Sequence, residues 1–369
     1  MSRKMDVPFD EEYKPLIINA SDGDSGRILE RLQQDSSLRI HDEIKSQIGD
    51  LIKLRNPHRK YSADELGEAI IGFFGSQSPE KYGNWVYYPW RNCLVHLLPK
   101  DEFVSVRTIR NKHKITDEEQ RTLETKKIGV IGLSVGQSVA LTLALERGCG
   151  ELRLADFDTL ELSNLNRIRT GVYNIGIKKS ILVAREIAEI DPYLNIVLYN
   201  EGIHEGNMDD FFRRDGQLDL LIEECDSLEM KIKSRVKAKE LKIPVIMDTS
   251  DRGMIDVERF DLEPDRPIFH GMLSKFGEES QLLENLDENR NQLLMSILDF
   301  EKLSERAKFS IGEMGKSITT WPQLASSVVM GGAMVAYFAK NILCAQTSYS
   351  GRMYVDLDEL LIAEHESKN

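Results

Sequence analysis

Residues 127–138, K-I-G-V-I-G-L-S-V-G-Q-S, decide the fold that we predict for this chain. Residues 127–133 have the apolar pattern of a buried strand, and residues 135–146 have that of a helix. Where a strand turns at glycine into a helix, backbone N–H groups and the helix dipole favour bound phosphate. The stretch therefore predicts a phosphate-binding turn at Gly132 and Ser134. Alone, the pattern also fits an ordinary strand–helix turn.

Strand and helix patterns alternate regularly beyond this turn. Strands are predicted at residues 151–155, 195–199, 218–223 and 244–248, and a helix at residues 178–190. Such alternation is typical of parallel βαβ units that are covered by helices on both faces. We predict an α/β fold with a Rossmann-type parallel sheet, which binds ligands at the carboxyl ends of its strands.

The chain of 369 residues is long enough for two domains. We predict an N-terminal α+β accessory or substrate-clamp region at residues 1–105. In it we expect helices at residues 40–54 and 63–74 and two short strands within residues 85–98. Ser62 and Glu65 have the spacing of a capping box for the second helix.

The second predicted domain covers residues 106–369. Its Rossmann core is predicted at residues 126–262, and residues 263–369 complete it with helices and a strand. In this last part we predict helices at residues 284–306 and 323–343 and an edge strand at residues 353–357.

Composition excludes several classes of function. A net charge of −13 argues against a nucleic-acid partner, because binding phosphate backbones needs concentrated Lys and Arg. The four cysteines include no Cys-x-x-Cys pair, which argues against a zinc site of that spacing and favours a reducing compartment. The start lacks a signal-peptide pattern, and the apolar stretch at residues 325–339 is too short for a membrane span. We predict a cytoplasmic protein without a membrane partner.

Charged residues follow several predicted strands at their carboxyl ends. Asp156 lies 24 residues after Gly132, a spacing at which an acidic residue binds the ribose of NAD or ATP. Arg167, Lys179 and Asp226 lie in separate loops that this topology brings to one edge. The two cations would balance phosphate charge and the aspartate would hold Mg²⁺. Hydride transfer needs no such set, whereas nucleotidyl transfer does.

Residues 128–192 resemble the ThiF/MoeB/HesA family, which is related to the ubiquitin-activating enzymes. The run L-x-D-F-D-x-x-x-L-S-N-L-x-R at residues 154–167 matches that family closely. The I-D-P at residues 190–192 and the Cys-Asp at residues 225–226 also match. Upstream, R-T-I-R-N at residues 107–111 is similar to the family's R-Y-x-R-Q.

The resemblance implies an ATP-dependent adenylyltransferase that activates a carboxylate with release of pyrophosphate. It implies nucleotide binding by Gly132, Ser134, Asp156, Asp158, Ser163, Asn164, Arg167, Lys179 and Asp226, with Mg²⁺ on Asp226. It also implies catalytic roles for Arg167, Lys179, Asp226 and Arg110, the last acting in trans across a homodimer. The implied substrate is the C-terminus of a ubiquitin-like or sulfur-carrier protein, a peptide or a small carboxylate. The family's tRNA-linked threonylcarbamoyl dehydratases are a further variant.

The chain departs from the family pattern at several positions. Ser134 and Gln137 replace glycines of the phosphate turn, and Ile168 replaces a glutamine. No cysteine lies in the loops after Asp248, where several members place a thioester or persulfide nucleophile. Two alternatives stay open: an NAD(P)-dependent Rossmann oxidoreductase, and a nucleotide-binding partner subunit without catalytic activity.

Overall fold

Two units make up the chain in the computed structural model, which describes residues 11–19 and 21–366. The first unit consists of residues 1–117 and 187–193. The second consists of residues 118–186 and 194–369.

The first unit is built on a four-stranded sheet. Its strands are β1 (Leu16–Asn19), β2 (Arg39–Asp42), β3 (Asn84–Tyr88) and β4 (Cys93–Leu97), in the order β1-β3-β4-β2. The β2–β4 pair is parallel and the other two pairs are antiparallel. Its helices are α1 (Gly23–Gln33), α2 (Ile44–Arg55), α3 (Ala63–Phe74) and α4 (Lys100–Arg107).

The predictions for this unit have mixed outcomes. The capping box of α3 is confirmed: Ser62 Oγ accepts from the Glu65 N–H at 3.2 Å, and the Ser62 N–H donates to Glu65 Oε2 at 2.8 Å. The two strands within residues 85–98 are also confirmed. The predicted start of a helix at Ile40 is wrong, because Ile40 lies in β2 and pairs with Leu94 of β4. Sheet pairing with a distant segment outweighs the local helical pattern there.

A seven-stranded sheet forms the centre of the second unit. Its strands are β5 (Lys127–Ile131), β6 (Glu151–Ala155), β7 (Asn195–Tyr199), β8 (Leu220–Glu223), β9 (Val245–Thr249), β10 (Met254–Glu258) and β11 (Gly351–Tyr354). The order is β11-β10-β9-β8-β5-β6-β7. The five strands from β9 to β7 are parallel, which confirms the Rossmann-type sheet. β10 and β11 add antiparallel strands, with β11 at the predicted edge.

Helices cover both faces of this sheet. They are α5 (Asp117–Glu124), α6 (Gly136–Glu146), α7 (Lys179–Ile190), α8 (Glu205–Arg213), α9 (Leu228–Glu240), α10 (Leu286–Leu298), α11 (Glu305–Glu313), α12 (Ala325–Leu343) and α13 (Leu357–Glu366). A Cβ on Gly129 would lie 2.7 Å from the Phe211 ring of α8, and one on Gly136 of α6 would lie 2.8 Å from Val130. Because residues 129 and 130 of β5 point to opposite faces, α8 and α6 lie on opposite sides.

The helix predicted at residues 284–306 is interrupted. It forms α10 and α11, and α10 ends at Leu298, directly before Asp299, whose φ of 54° is left-handed. A left-handed residue cannot continue a right-handed helix. The helix predicted at residues 323–343 is confirmed as α12.

α12 packs against α6 and β9 at unusually short range. A Cβ on Gly331 would lie 1.5 Å from Asp248 Oδ2, and one on Gly332 would lie 2.2 Å from Ser138 Oγ. Two adjacent glycines weaken a helix, so this close approach explains their position. By length and composition α12 would also suit a membrane span, although 44% of its most apolar window is buried.

We expect Gly331→Ala to lower the free energy of unfolding by about 1–3 kcal/mol, because the added methyl overpacks the contact with Asp248. Gly312→Ala in α11 is the matched control, since its Cβ would meet nothing within 4 Å. That variant should be neutral or more stable by up to about 1 kcal/mol. Urea denaturation measures both variants. Equal stabilisation by the two substitutions would contradict the close packing of α12.

Candidate nucleotide-binding site

The predicted phosphate turn connects β5 to α6 and is tied to both neighbouring strands. The Gly132 N–H donates to the Ala155 carbonyl at 2.9 Å. Gly132 has a φ of +87°, and a Cβ on it would lie 2.6 Å from the Glu224 carbonyl oxygen. Only glycine fits here, because both the conformation and the space exclude a side chain. The turn therefore lies directly against the loop that carries Asp226.

Asp156 follows β6 and accepts a hydrogen bond from the backbone of the phosphate turn. Its Oδ2 accepts from the Leu133 N–H at 2.7 Å, and its Oδ1 accepts from the Asp158 N–H at 2.8 Å. Burial raises the pKa of Asp156, and these two hydrogen bonds oppose that rise. Each carboxylate oxygen has a second lone pair, which can accept from a ribose hydroxyl. Asp156, the residue predicted to bind the ribose, therefore lies next to the phosphate turn.

Lys179 begins α7 and is fixed to Asp158 through both backbone and side chain. The Lys179 N–H donates to the Asp158 carbonyl at 2.9 Å, and Lys179 Nζ lies 2.7 Å from Asp158 Oδ2. The lysine side chain is only 8% exposed, whereas that of Asp158 is 50% exposed. Asp158 therefore presents this ammonium group at the sheet edge.

Arg167 contacts the phosphate turn and interacts electrostatically with Asp226. Its Nη2 and Nε donate to Ser134 Oγ at 2.9 and 3.2 Å. Burial lowers the pKa of Arg167, and the negative charge of Asp226 opposes this effect. Asp226 is exposed. Ser134 of the turn and Arg167 of a separate loop are thus in contact, and the charge of Asp226 acts on Arg167.

The remaining predicted residues have other placements. Asn164 is buried and caps a short helical turn, since its Oδ1 accepts from the Glu161 N–H at 2.9 Å. Ser163 is exposed beside it, 3.4 Å from Glu161. Direct phosphate contacts by these two residues stay a prediction. Arg110 is exposed and belongs to the first unit, not to the second unit that holds the other residues.

The ThiF family matches residues 107–354 of this chain. The chain belongs to the ThiF family. An uncharacterized protein of Mycobacterium tuberculosis is 41% identical over 346 residues, which are 94% of this chain and 46% of that protein. The chain thus spans about half the length of that relative.

Two further relatives have named activities. The tRNA threonylcarbamoyladenosine dehydratase of Bacillus subtilis is 23% identical over 242 residues, which are 63% of this chain and 94% of the relative. The molybdopterin-synthase adenylyltransferase of Haemophilus influenzae is 25% identical over 158 residues, which are 42% of this chain and 64% of the relative.

Sequence reasoning missed a pair of carboxyl groups, one buried and one partly buried, in this ThiF-family chain. Glu224 follows β8, and its Oε1 accepts from the Asp248 N–H on β9 at 2.9 Å. Neither carboxyl oxygen of Asp248 has a hydrogen-bond partner among the described residues. Burial and the neighbouring Asp248 charge raise the pKa of Glu224, and burial raises the pKa of Asp248 to about 7. The pair therefore holds a proton in the neutral range.

One signal in the sequence could have indicated this cluster. Two acidic residues stand at the end of an apolar strand, Glu223 as its last residue and Glu224 directly after it, and Lys231 and Arg235 come next at helical spacing on α9. Charged side chains that are buried in a protein require partners of opposite charge or hydrogen bonds. Asp248 could not be linked to them from sequence, since only the strand order makes β8 and β9 neighbours.

We expect Asp248→Asn to change how stability depends on pH. The folded pKa of about 7 exceeds the value of about 4 for an exposed aspartate. Between those values the folded state binds more protons than the unfolded state, so the free energy of unfolding falls as pH rises. The amide should therefore raise that free energy by about 1–3 kcal/mol at pH 8, with a smaller difference near pH 4.

Urea denaturation of wild type and Asp248→Asn at a series of pH values measures this effect. Asp265→Asn is the control, because Asp265 is exposed and should keep the wild-type profile. Parallel profiles for Asp248→Asn and wild type would show that Asp248 titrates normally.

The cysteines are not placed as nucleophiles. All four are free: Cys93, Cys149, Cys225 and Cys344. Cys149 is buried, and burial raises the pKa of the other three thiols. A raised pKa disfavours the reactive thiolate. Cys225, beside Asp226, therefore behaves as a small, partly buried residue and not as a nucleophile.

Proposed function

We propose that this chain uses ATP to adenylate a carboxylate and releases pyrophosphate. The observation that carries the proposal is the position of Arg167, which contacts Ser134 in the phosphate turn. This arrangement puts a cation at the N-terminus of α6, where phosphate binds best, and the charge of Asp226 acts on that cation. Membership of the ThiF family supports the same reaction.

The described residues fit a triphosphate with Mg²⁺. The left-handed Gly132 allows the tight turn at the N-terminus of α6, and Arg167 and Lys179 supply positive charge. No group of three or more His, Cys, Asp or Glu that could hold a metal is found in the described part of the chain. Mg²⁺ usually binds through one or two carboxylates together with phosphate oxygens and water. Asp226 would be that carboxylate, and the ion would neutralise phosphate charge.

The chemistry needs no general base, because the attacking group is already ionised. A carboxylate oxygen bonds to the α-phosphorus, the bond to the bridging oxygen breaks, and pyrophosphate leaves with the electron pair. Lys179 would stabilise the negative charge on the α-phosphate, and Arg167 would neutralise the leaving group. Asp156 would bind the ribose and hold the phosphorus in line. Catalysis would rest on alignment and charge.

A nicotinamide-dependent oxidoreductase is less well supported. It would use the turn and Asp156 but would leave the contact between Arg167 and Ser134 without a role. A partner subunit without catalytic activity is likewise disfavoured, because the chain retains Arg167, Lys179 and Asp226, and Arg167 contacts the turn.

For the substrate we propose the C-terminal carboxylate of a peptide or small protein of the ubiquitin-like or sulfur-carrier type. The adenylyltransferase from Haemophilus influenzae supports this class. The Bacillus subtilis dehydratase points instead to a carboxylate on tRNA. A net charge of −13 favours the protein or peptide, because tRNA would be repelled. We also propose a cytoplasmic homodimer in which Arg110 serves the partner's site.

An ATP–pyrophosphate exchange assay tests the proposal. Wild type is assayed with synthetic peptides ending in Gly-Gly, with small carboxylates, and with threonylcarbamoyl-modified tRNA. We expect exchange that depends on one of these, and a decrease of about 10- to 100-fold in Asp226→Ala at low Mg²⁺. High Mg²⁺ should restore part of that loss, since the lost carboxylate weakens metal binding.

Asp265→Ala is the matched control, because Asp265 is an exposed aspartate of the same unit outside this site. It should keep wild-type exchange. Tight NADH binding without ATP binding would support the oxidoreductase instead. ATP binding without exchange with any probe, and with no effect of Asp226→Ala, would support a partner subunit without activity.

A further inference from the structure

The two residues that replace glycines in the phosphate turn, Ser134 and Gln137, both bind the short segment at residues 167–169. Ser134 and Gln137 occupy positions where the G-x-G-x-x-G fingerprint has glycine. Ser134 contacts Arg167, and Gln137 contacts the backbone of Arg169. The departures from the glycine pattern are therefore structurally linked.

Gln137 fixes the backbone of this segment from within the protein. It is 2% exposed, its Oε1 accepts from the Arg169 N–H at 2.8 Å, and its Nε2 donates to the Arg169 carbonyl at 3.1 Å. The same Nε2 lies 3.3 Å from Glu186 Oε2, and Arg169 Nε donates to Glu186 Oε1 at 2.7 Å. A buried amide that forms all these bonds is hard to displace, because each lost bond would leave a polar group unpaired.

Ser134 fixes the side chain two residues earlier. Its hydroxyl oxygen accepts from two nitrogens of Arg167, while Arg167 Nη1 donates to Asn166 Oδ1 at 2.9 Å. All the donor groups of the guanidinium lie in one plane, so these contacts set its orientation as well as its position. The Ser134 hydroxyl still has its own O–H, which can donate to a phosphate oxygen.

We propose that Ser134 and Gln137 form a clamp that positions Arg167 over the phosphate turn before ATP binds. This inference rests on the proposed binding of ATP at the turn. An arginine side chain loses much rotational freedom when it is ordered by a ligand, and a clamp that orders it in advance removes that cost. Glycine at position 134 or 137 would offer no side chain to accept or donate these bonds. Ser134 and Gln137 are thus positioning residues that act through Arg167.

Hydrogen exchange of the protein without nucleotide tests the clamp itself. In Gln137→Ala the N–H of Arg169 loses its acceptor, so peptides covering residues 167–170 should exchange faster than in wild type. Gln217→Ala is the control, since Gln217 is an exposed glutamine of the same unit whose Nε2 donates to the Leu241 carbonyl, away from residues 167–170 in sequence. It should leave residues 167–170 unchanged. Unchanged exchange in Gln137→Ala would overturn the clamp.

Calorimetric titration with Mg²⁺–ATP tests its consequence. Ser134→Ala should raise the dissociation constant by about 2- to 10-fold, whereas Ser134→Thr, which keeps the hydroxyl, should stay near wild type. A merely structural role would move the melting temperature and not this pair of affinities. Wild-type affinity in Ser134→Ala would overturn the clamp alone. A wild type that binds no ATP would overturn the proposed function as well.

Discussion

Replacing Arg235 with alanine should lower the free energy of unfolding by about 3–5 kcal/mol. Arg235 is fully buried on α9, where its Nε donates to Glu258 Oε2 at 2.8 Å and its Nη1 donates to Glu223 Oε2. Its guanidinium also lies 4.1 Å from the centre of the Phe269 ring. Alanine would leave Glu258 without its ion-pair partner, remove one of the two cations that pair with Glu223, and leave a cavity beside the ring.

The pKa values show how strongly these groups depend on one another. Burial alone would raise the pKa of Glu223, but the charges of Lys231 and Arg235 outweigh it and hold that pKa at about 2. Burial raises the pKa of Glu258 in spite of Arg235. Without Arg235, Glu258 would have to bind a proton or stay charged in an apolar setting, and either outcome costs stability.

Urea denaturation at one fixed protein concentration measures the loss. Arg213→Ala is the control, because this arginine of α8 is half exposed and pairs with exposed acids, which are worth about 0–1 kcal/mol. The double variant Arg235→Met with Glu258→Gln should be more stable than Arg235→Ala, since it removes both charges and keeps the volume. A loss of less than about 1 kcal/mol in Arg235→Ala would show that the buried network contributes little to stability.

The parallel part of the fold could be predicted because its signals are local. Strands β6 and β7 have the predicted bounds, and the bonds between Ser62 and Glu65 were visible as spacing. β10 was not predicted, because it follows β9 after only four residues and the charged residues in it are buried by ion pairs. Ile40 was assigned to a helix because nothing local indicates its partner Leu94.

The candidate site shows the same limit. Asp156 and Asp226 could be singled out because each follows a predicted strand, Lys179 because it lies at the start of a predicted helix, and Arg167 because the run at residues 154–167 resembles the ThiF/MoeB/HesA family. The hydrogen bonds between site residues could not be predicted, because Ser134 and Arg167 are 33 residues apart and meet only through their side chains. The turn matches the glycine fingerprint at only one position. Ser134, at a second position of that fingerprint, accepts two hydrogen bonds from Arg167, which a glycine could not accept through a side chain.

Arg167→Ala should reduce substrate-dependent ATP–pyrophosphate exchange by about 10²- to 10³-fold, the usual effect of removing one preorganised donor. The guanidinium neutralises charge that grows on the phosphates as pyrophosphate leaves, so kcat should fall more than the affinity for ATP. Arg167→Lys should retain part of the activity, because it keeps the charge and loses the planar contact with Ser134. Arg213→Ala, distant from the turn in sequence and half exposed, is the control and should exchange normally.

The same variant can show whether the site is completed by a second copy of the chain. If Arg110 acts in trans, a mixture of Arg110→Ala and Arg167→Ala protein forms heterodimers in which one site has both arginines. Random exchange of subunits in a two-fold dimer makes half of the dimers mixed, so about a quarter of wild-type activity should return. Differently tagged subunits that co-purify would demonstrate exchange. No recovery under those conditions would mean that Arg110 acts within its own chain or not at all.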